Sequence, residues 1–147
     1  MKDLVSYVLE NNYDLMKKNH VLVVLKPGFQ HLLEELCKLF KLNGYEIVKT
    51  KTKKLLPSES KNLYIIHKKE DFYKSLCEYM SSDITTAFIL KKKSDNIFDE
   101  FSKLKDTIRE KYGESEMRNV LHSSDSYKNF THEASIYFYN INQIDLL

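Results

Sequence analysis

Apolar positions recur along the chain with two periods, and each change of period marks an element. Leu4, Val5, Val8, Leu15 and Met16 fall towards one side of an amphipathic helix over Leu4–Lys18. Val21–Leu25 (VLVVL) is a continuous apolar run stopped by Pro27 and Gly28, the form of a buried central strand. From Gln30 to Asn43, Leu32, Leu33, Leu36, Cys37, Leu39 and Phe40 recur at helical spacing. Gly44 then stands where a glycine closes a helix. Tyr45–Leu55 changes to alternation, with Tyr45, Ile47, Lys49, Lys51 and Lys53 in one strand phase.

Pro57 and Ser58 open a helical stretch towards His67, with Ser58 as its N-cap. A short helix over Asp71–Met80 is expected to bury Phe72, Leu76 and Tyr79, and Ile84–Leu90 (ITTAFIL) reads as another strand. Two short helices follow, Asn96–Lys103 and Asp106–Tyr112, then an irregular stretch to Arg118 and a short strand over Asn119–His122. A last helix, Ser126–Ile141, buries Phe130, Ala134, Tyr137 and Phe138. The order predicts an α/β fold, a ferredoxin-like split βαβ sandwich. Its mostly antiparallel four-stranded sheet is covered by helices, and residues 1–20 form an N-terminal helical extension to a domain over 21–147.

Composition narrows the function. The chain has 147 residues, enough for one domain with one core, and is 42% hydrophobic and 30% charged. Its 23 basic and 21 acidic residues leave a net charge of +2, which argues against a nucleic-acid partner or a membrane surface. No apolar run spans a bilayer, Met1–Glu10 lacks a signal-peptide core, and two cysteines form no disulfide framework; a cytoplasmic setting is expected. Lys49, Lys51, Lys53 and Lys54 read as the wet side of a strand, Cys37 as core and Cys77 as no more than partly buried. Three isolated glycines, Gly28, Gly44 and Gly113, exclude both a P-loop and a dinucleotide fingerprint. The five histidines and two cysteines show no zinc-ligand spacing, so no protein metal site is expected; His20, His31 and His132 are given no role. Any phosphate chemistry must rest on side chains and helix ends.

The densest polar cluster is Arg118–Ser126 (RNVLHSSDS). One reading makes Asp125 or Ser126 a helix cap and His122 a satisfied, partly buried side chain. The other makes His122 a nucleophile oriented by a carboxylate, with Glu133, about two turns into the last helix, as its partner.

That segment resembles the RN-x-x-H-G-S-D-S signature of nucleoside diphosphate kinases. Four further segments match the family in order: Leu25-Lys26-Pro27-Gly28, Tyr64–Phe72 (YIIHKKEDF), Tyr79-Met80-Ser81-Ser82 and Thr107-Ile108-Arg109. The resemblance runs from about Val21 to Phe138 and implies ping-pong transfer of a γ-phosphate between nucleotides. His122 is then the phosphorylated nucleophile, Glu133 the residue holding its tautomer, and Lys26 the lysine at the γ-phosphate and sugar hydroxyl. It further implies that Tyr64 stands beside the phosphohistidine, His67 near the α-phosphate, Phe72 under the base, Arg109 on the phosphates and Asn119 at the 3′-hydroxyl. Mg²⁺ arrives on the nucleotide phosphates, the partners are nucleoside tri- and diphosphates, and the chain forms a homodimer or higher homo-oligomer.

Four departures accompany the resemblance, one of them the Tyr112–Met117 segment, which differs from the family's glycine-containing sequence. Glu70 stands where the family has a phosphate-contacting arginine, Leu90–Asp106 is shortened, and Ser123 replaces the glycine after the histidine. They leave open a nucleotide- or protein-binding relative that catalyses little.

Overall fold

A computed structural model describes residues 19–138. The helix expected over Leu4–Lys18 and the part of the last helix beyond Phe138 lie outside the described residues. Among the described residues, β1 (His20–Leu25), β2 (Glu46–Lys53), β3 (Thr85–Lys91) and β4 (Leu121–Ser123) form one sheet in the order β2-β3-β1-β4. Each pairing is antiparallel. The α-helices are α1 (Leu33–Leu42), α2 (Pro57–Leu63), α3 (Tyr73–Met80), α4 (Ile97–Tyr112) and α5 (Tyr127–Tyr137). The β1-α1-β2-β3-α4-β4 progression with this strand order is a ferredoxin-like sandwich, with α2 and α3 added between β2 and β3, and α5 after β4.

β1 is buried along its whole length because β3 and β4 flank it and helices cover both faces. Val21, Val23 and Leu25 pack with Phe40, Phe88 and Phe101 on the α1/α4 face. Leu22 and Val24 pack with Tyr64, Phe130 and Tyr137 on the α2/α3/α5 face. This two-sided burial explains the unbroken apolar run, and each large side chain so buried contributes roughly 1.5–3 kcal/mol. Edge contacts add directionality: the Phe40 and Phe88 rings meet at 5.5 Å and 77°.

Several local expectations change. The single phase of β2 is broken by an irregularity between Ile47 and Lys49: Ile47 pairs with Leu90 and Lys49 with the next residue, Ile89, so the two no longer share a face of the sheet. Lys53 leaves the wet side and pairs with Glu59 at 2.5 Å, both side chains largely buried. Helix α2 is capped from Leu56, with Pro57 at the first position and Glu59 Oε1 accepting from the Leu56 N–H at 2.9 Å; Ser58 is not the cap. Residues Ile65–His67 form a separate 3₁₀ turn, and Phe72 and Asp71 precede α3, with Phe72 exposed rather than buried. Cys77 is fully buried and Cys37 only half-buried.

The two helices expected after β3 are one, α4, capped by the Asn96 side chain accepting from the Asp99 N–H. It runs on because Ile97, Phe101, Leu104 and Ile108 keep the helical spacing against the sheet. β4 begins two residues later than expected, at Leu121. No described helix is long and apolar enough to cross a membrane.

Candidate active site

The polar cluster after Arg118 divides into structural and uncommitted residues. Ser124 Oγ accepts from the Leu22 N–H at 3.0 Å, and the Ser124 N–H returns to Leu22 O at 2.9 Å. Ser126 caps α5 by accepting from the Asn129 N–H at 3.1 Å. Their hydroxyls are spent on holding β4 and α5. His122 lies opposite Val24 in β4, with Leu121 and its own side chain alternating across the sheet. Its ring is therefore on the α5 side.

Helix α5 carries Glu133 inward because it lies three residues after Phe130 and one before Ala134, both buried. A carboxylate buried this deeply needs a partner. His122 Nε2 supplies it at 2.9 Å from Oε1, with the two side chains 18% and 5% exposed. Donation from Nε2–H to the carboxylate fixes the tautomer with the lone pair on Nδ1, which bonds to nothing among the described residues.

Lys26 follows β1 and reaches the same region. Its Nζ donates to Asn119 Oδ1 at 2.7 Å and to Met117 O at 3.2 Å. Its backbone N–H donates to Val120 O at 2.9 Å. Val120 has φ +81°, a left-handed value that costs a β-branched residue about 1–3 kcal/mol. The strain is held because the side chain is fully buried and the Leu121 N–H bonds Asn119 O at 3.1 Å across the bend. That bend brings the Asn119 amide to Lys26 and starts β4 one residue before His122.

The turn after β1 is clamped as well. Gly28 has φ +89°, and a Cβ there would lie 2.6 Å from Arg118 Nη2. Arg118 stacks over the Phe29 and Tyr79 rings and pairs with Glu114 at 3.0 Å, while the Tyr79 hydroxyl donates to Pro27 O. These contacts fix the root of Lys26.

Tyr64, at the end of α2, presents its ring edge-on to His122, 5.2 Å between centroids and 72° between planes. Burial holds its hydroxyl well above the usual range, so it stays protonated. Arg109 on α4 donates from Nη2 to Leu121 O at 2.7 Å, beside His122. Three buried polar atoms have no hydrogen-bond partner here: Tyr64 Oη, Arg109 Nε and Glu133 Oε2. They leave hydrogen-bonding capacity open on Tyr64 and Glu133, which touch His122, and on Arg109, which bonds the residue before it. Burial, then repulsion from Arg109 and Lys105, pushes the Lys26 amine down to about 7.

The sequence-predicted residues thus fall into two groups. Tyr64 and Glu133 touch His122, Arg109 is anchored on the neighbouring Leu121 carbonyl, and Lys26 and Asn119 bond each other within the field of Arg109. His67 and Phe72 sit further out, their rings 5.5 Å apart, with Phe72 46% exposed. A cleft of about 330 Å³ lined by Lys26, Phe72, Leu76, Glu116 and Met117 joins the groups. Glu70 is exposed in the turn before Phe72. Lys105 lies one turn before Arg109 on α4, in the stretch where the sequence pattern predicts a break between two helices.

The model of the nucleoside diphosphate kinase family matches residues 19–142. The chain belongs to the nucleoside diphosphate kinase family. Its relatives include nucleoside diphosphate kinases of Kosmotoga olearia, 32% identical over 79% of this chain and 86% of that protein, and of Chlorobaculum tepidum, 30% identical over 80% and 91%. The apo crystal structure of the Encephalitozoon cuniculi nucleoside diphosphate kinase shares the fold with a TM-score of 0.75 at 21% identity, covering 81% of this chain and 88% of that one. The Aquifex aeolicus nucleoside diphosphate kinase shares it with a TM-score of 0.70, also at 21% identity, covering 80% and 92%. Members of the nucleoside diphosphate kinase family are phosphotransferases, and this chain carries the fold of that family.

Proposed function

We propose that the chain passes the γ-phosphate of a nucleoside triphosphate to a nucleoside diphosphate through a phosphohistidine on His122. The lone pair of Nδ1 attacks the γ-phosphorus, forming the N–P bond as the bond to the β,γ-bridging oxygen breaks, and the diphosphate leaves with that electron pair. A terminal oxygen of the second diphosphate then attacks the phosphohistidine and restores the imidazole. The observation that carries this reading is the Nε2 bond to buried Glu133, which leaves Nδ1 as the uncommitted nitrogen.

Glu133 is a positioning residue: it fixes the ring and stabilises the cationic character that the ring gains on phosphorylation. Lys26 and Arg109 neutralise charge on the transferred group, the largest demand that phosphoryl transfer makes of a protein. Asn119 and Lys26 take the sugar hydroxyl, Phe72 stacks beneath the base, His67 serves the α-phosphate, and Tyr64 shields the phosphohistidine. No group of three or more His, Cys, Asp or Glu side chains able to hold a metal exists among the described residues. In this reading magnesium enters on the nucleotide phosphates, as part of the substrate.

A second reading, a nucleotide-binding relative that transfers little, is favoured by one observation, the Glu70 carboxylate two residues from Phe72. Initial rates of ATP-to-GDP transfer at several fixed GDP concentrations separate the two. Parallel double-reciprocal lines support the two-step reading, intersecting lines contradict it, and undetectable turnover with ADP still bound supports the second.

A further inference from the structure

The continuity of α4 has a chemical consequence. Lys105 and Arg109 are four residues apart on an unbroken helix, so both long cationic side chains lie on one helix face. Arg109 is anchored at Leu121 O, one residue from His122. Lys105 is half-buried and lies close enough to repel both Lys26 and Arg109. The carboxylates within its field are Asp106, Asp125 and Glu133. Asp125 accepts from Asn129 Nδ2 at 2.6 Å, Glu133 is committed to His122, and Asp106 is exposed on the next helix position. Lys105 itself makes no hydrogen bond or ion pair among the described residues.

A lysine stem rotates freely, and an unpaired ammonium ordinarily swings into water. Here two cations and the Lys26 amine are instead gathered, partly out of water, beside His122. Such a cluster is unfavourable by itself and becomes favourable when a multivalent anion joins it. We propose that Lys105 is a third phosphate-binding residue, whose ammonium pairs with the phosphate chain of a nucleoside di- or triphosphate beside His122. The ligand's identity rests on the phosphotransfer reading above. Lys105, near the end of the shortened Leu90–Asp106 segment, is a cation that the exposed Glu70 turn does not supply.

The test is calorimetric titration of ADP, and of adenosine as a phosphate-free control, into wild type, Lys105→Gln and Lys105→Arg at low and high salt. Gln keeps the length and helix preference of the position, so α4 persists. Lys105→Gln should weaken ADP binding about 10- to 100-fold at low salt, the range for losing a charge-assisted hydrogen bond. The loss should shrink at high salt, adenosine binding should be unchanged, and Lys105→Arg should restore most of the ADP affinity. Unchanged ADP affinity in Lys105→Gln, or an equal loss for adenosine, overturns the proposal. A parallel assay of phosphoenzyme formation from ATP keeps the two readings apart. Phosphoenzyme with unchanged ADP affinity defeats only the role of Lys105, and weakened ADP binding without any phosphoenzyme defeats only phosphotransfer.

Discussion

His122 Nε2 and Glu133 Oε1 are 2.9 Å apart, and the second carboxylate oxygen is buried without a partner. The pair is thus held by one hydrogen bond whose strength depends on charge. Glu133→Gln keeps an acceptor for Nε2–H but loses the negative charge that favours a cationic ring. Phosphoenzyme formation should slow about tenfold, one pKa unit's worth of differential stabilisation, without being abolished. Rapid-quench measurement of the first turnover checks this. A loss as complete as that of His122→Ala would show that Glu133 does more than position the ring.

The Lys26 amine, ordinarily at 10.5, is pushed to about 7 by burial and then by Arg109 and Lys105. Between these values the unfolded chain binds a proton that the folded apoprotein lacks. Stability from this group therefore rises with pH across that window and is lowest below about 7. Phosphates favour the charged amine, so nucleotide binding should draw a proton onto Lys26 and strengthen as pH falls from about 8 towards 7. Calorimetry of ADP binding in two buffers of different ionisation enthalpy measures the uptake. Wild type should take up more protons than Lys26→Gln; equal uptake would contradict the assignment.

Phe72 is 46% exposed at the cleft, so its ring contributes little to the core. Phe72→Ala should leave the melting temperature nearly unchanged. It should weaken ADP binding by about 1–3 kcal/mol, the range for one base–aromatic stack. Tripolyphosphate, which has no base, should bind both proteins equally. A comparable loss for tripolyphosphate would place Phe72 outside the base site.

Glu70 lies in the turn that bonds back to His67 O, close in sequence to the stacking ring. Glu70→Arg exchanges repulsion of the phosphates for attraction, and exposure limits the gain to a few-fold. ADP should bind tighter in the variant at low ionic strength and by a smaller margin at high. Identical affinities at both would show that the turn does not face the phosphates.

Much of this was legible in the sequence where a residue's place follows from local periodicity. The run Val21–Leu25 declared a strand covered on both faces, and Glu133 follows Phe130 by three positions on an amphipathic helix. What local pattern could not give were properties set by distant packing. The break expected between Lys103 and Asp106 is absent because Leu104 and Ile108 continue the stripe of Phe101 against the sheet, which sets Lys105 on the same helix as Arg109. Phe72 looked like a core position by hydrophobicity alone, yet it precedes α3 and opens onto the cleft. The left-handed bend at Val120 has no local signal, since the fold imposes it on a residue that disfavours it.

The central claim is that His122 becomes covalently phosphorylated, and labelling tests it most directly. Wild type and His122→Asn are incubated with γ-labelled ATP and magnesium, quenched, and analysed for bound label and its stability. Wild type should carry label that is lost in acid, survives base, maps to the peptide containing His122 and is discharged by added GDP. His122→Asn should fold normally and carry none. Label retained in His122→Asn, or wild type that binds ADP but acquires no label, would contradict the account.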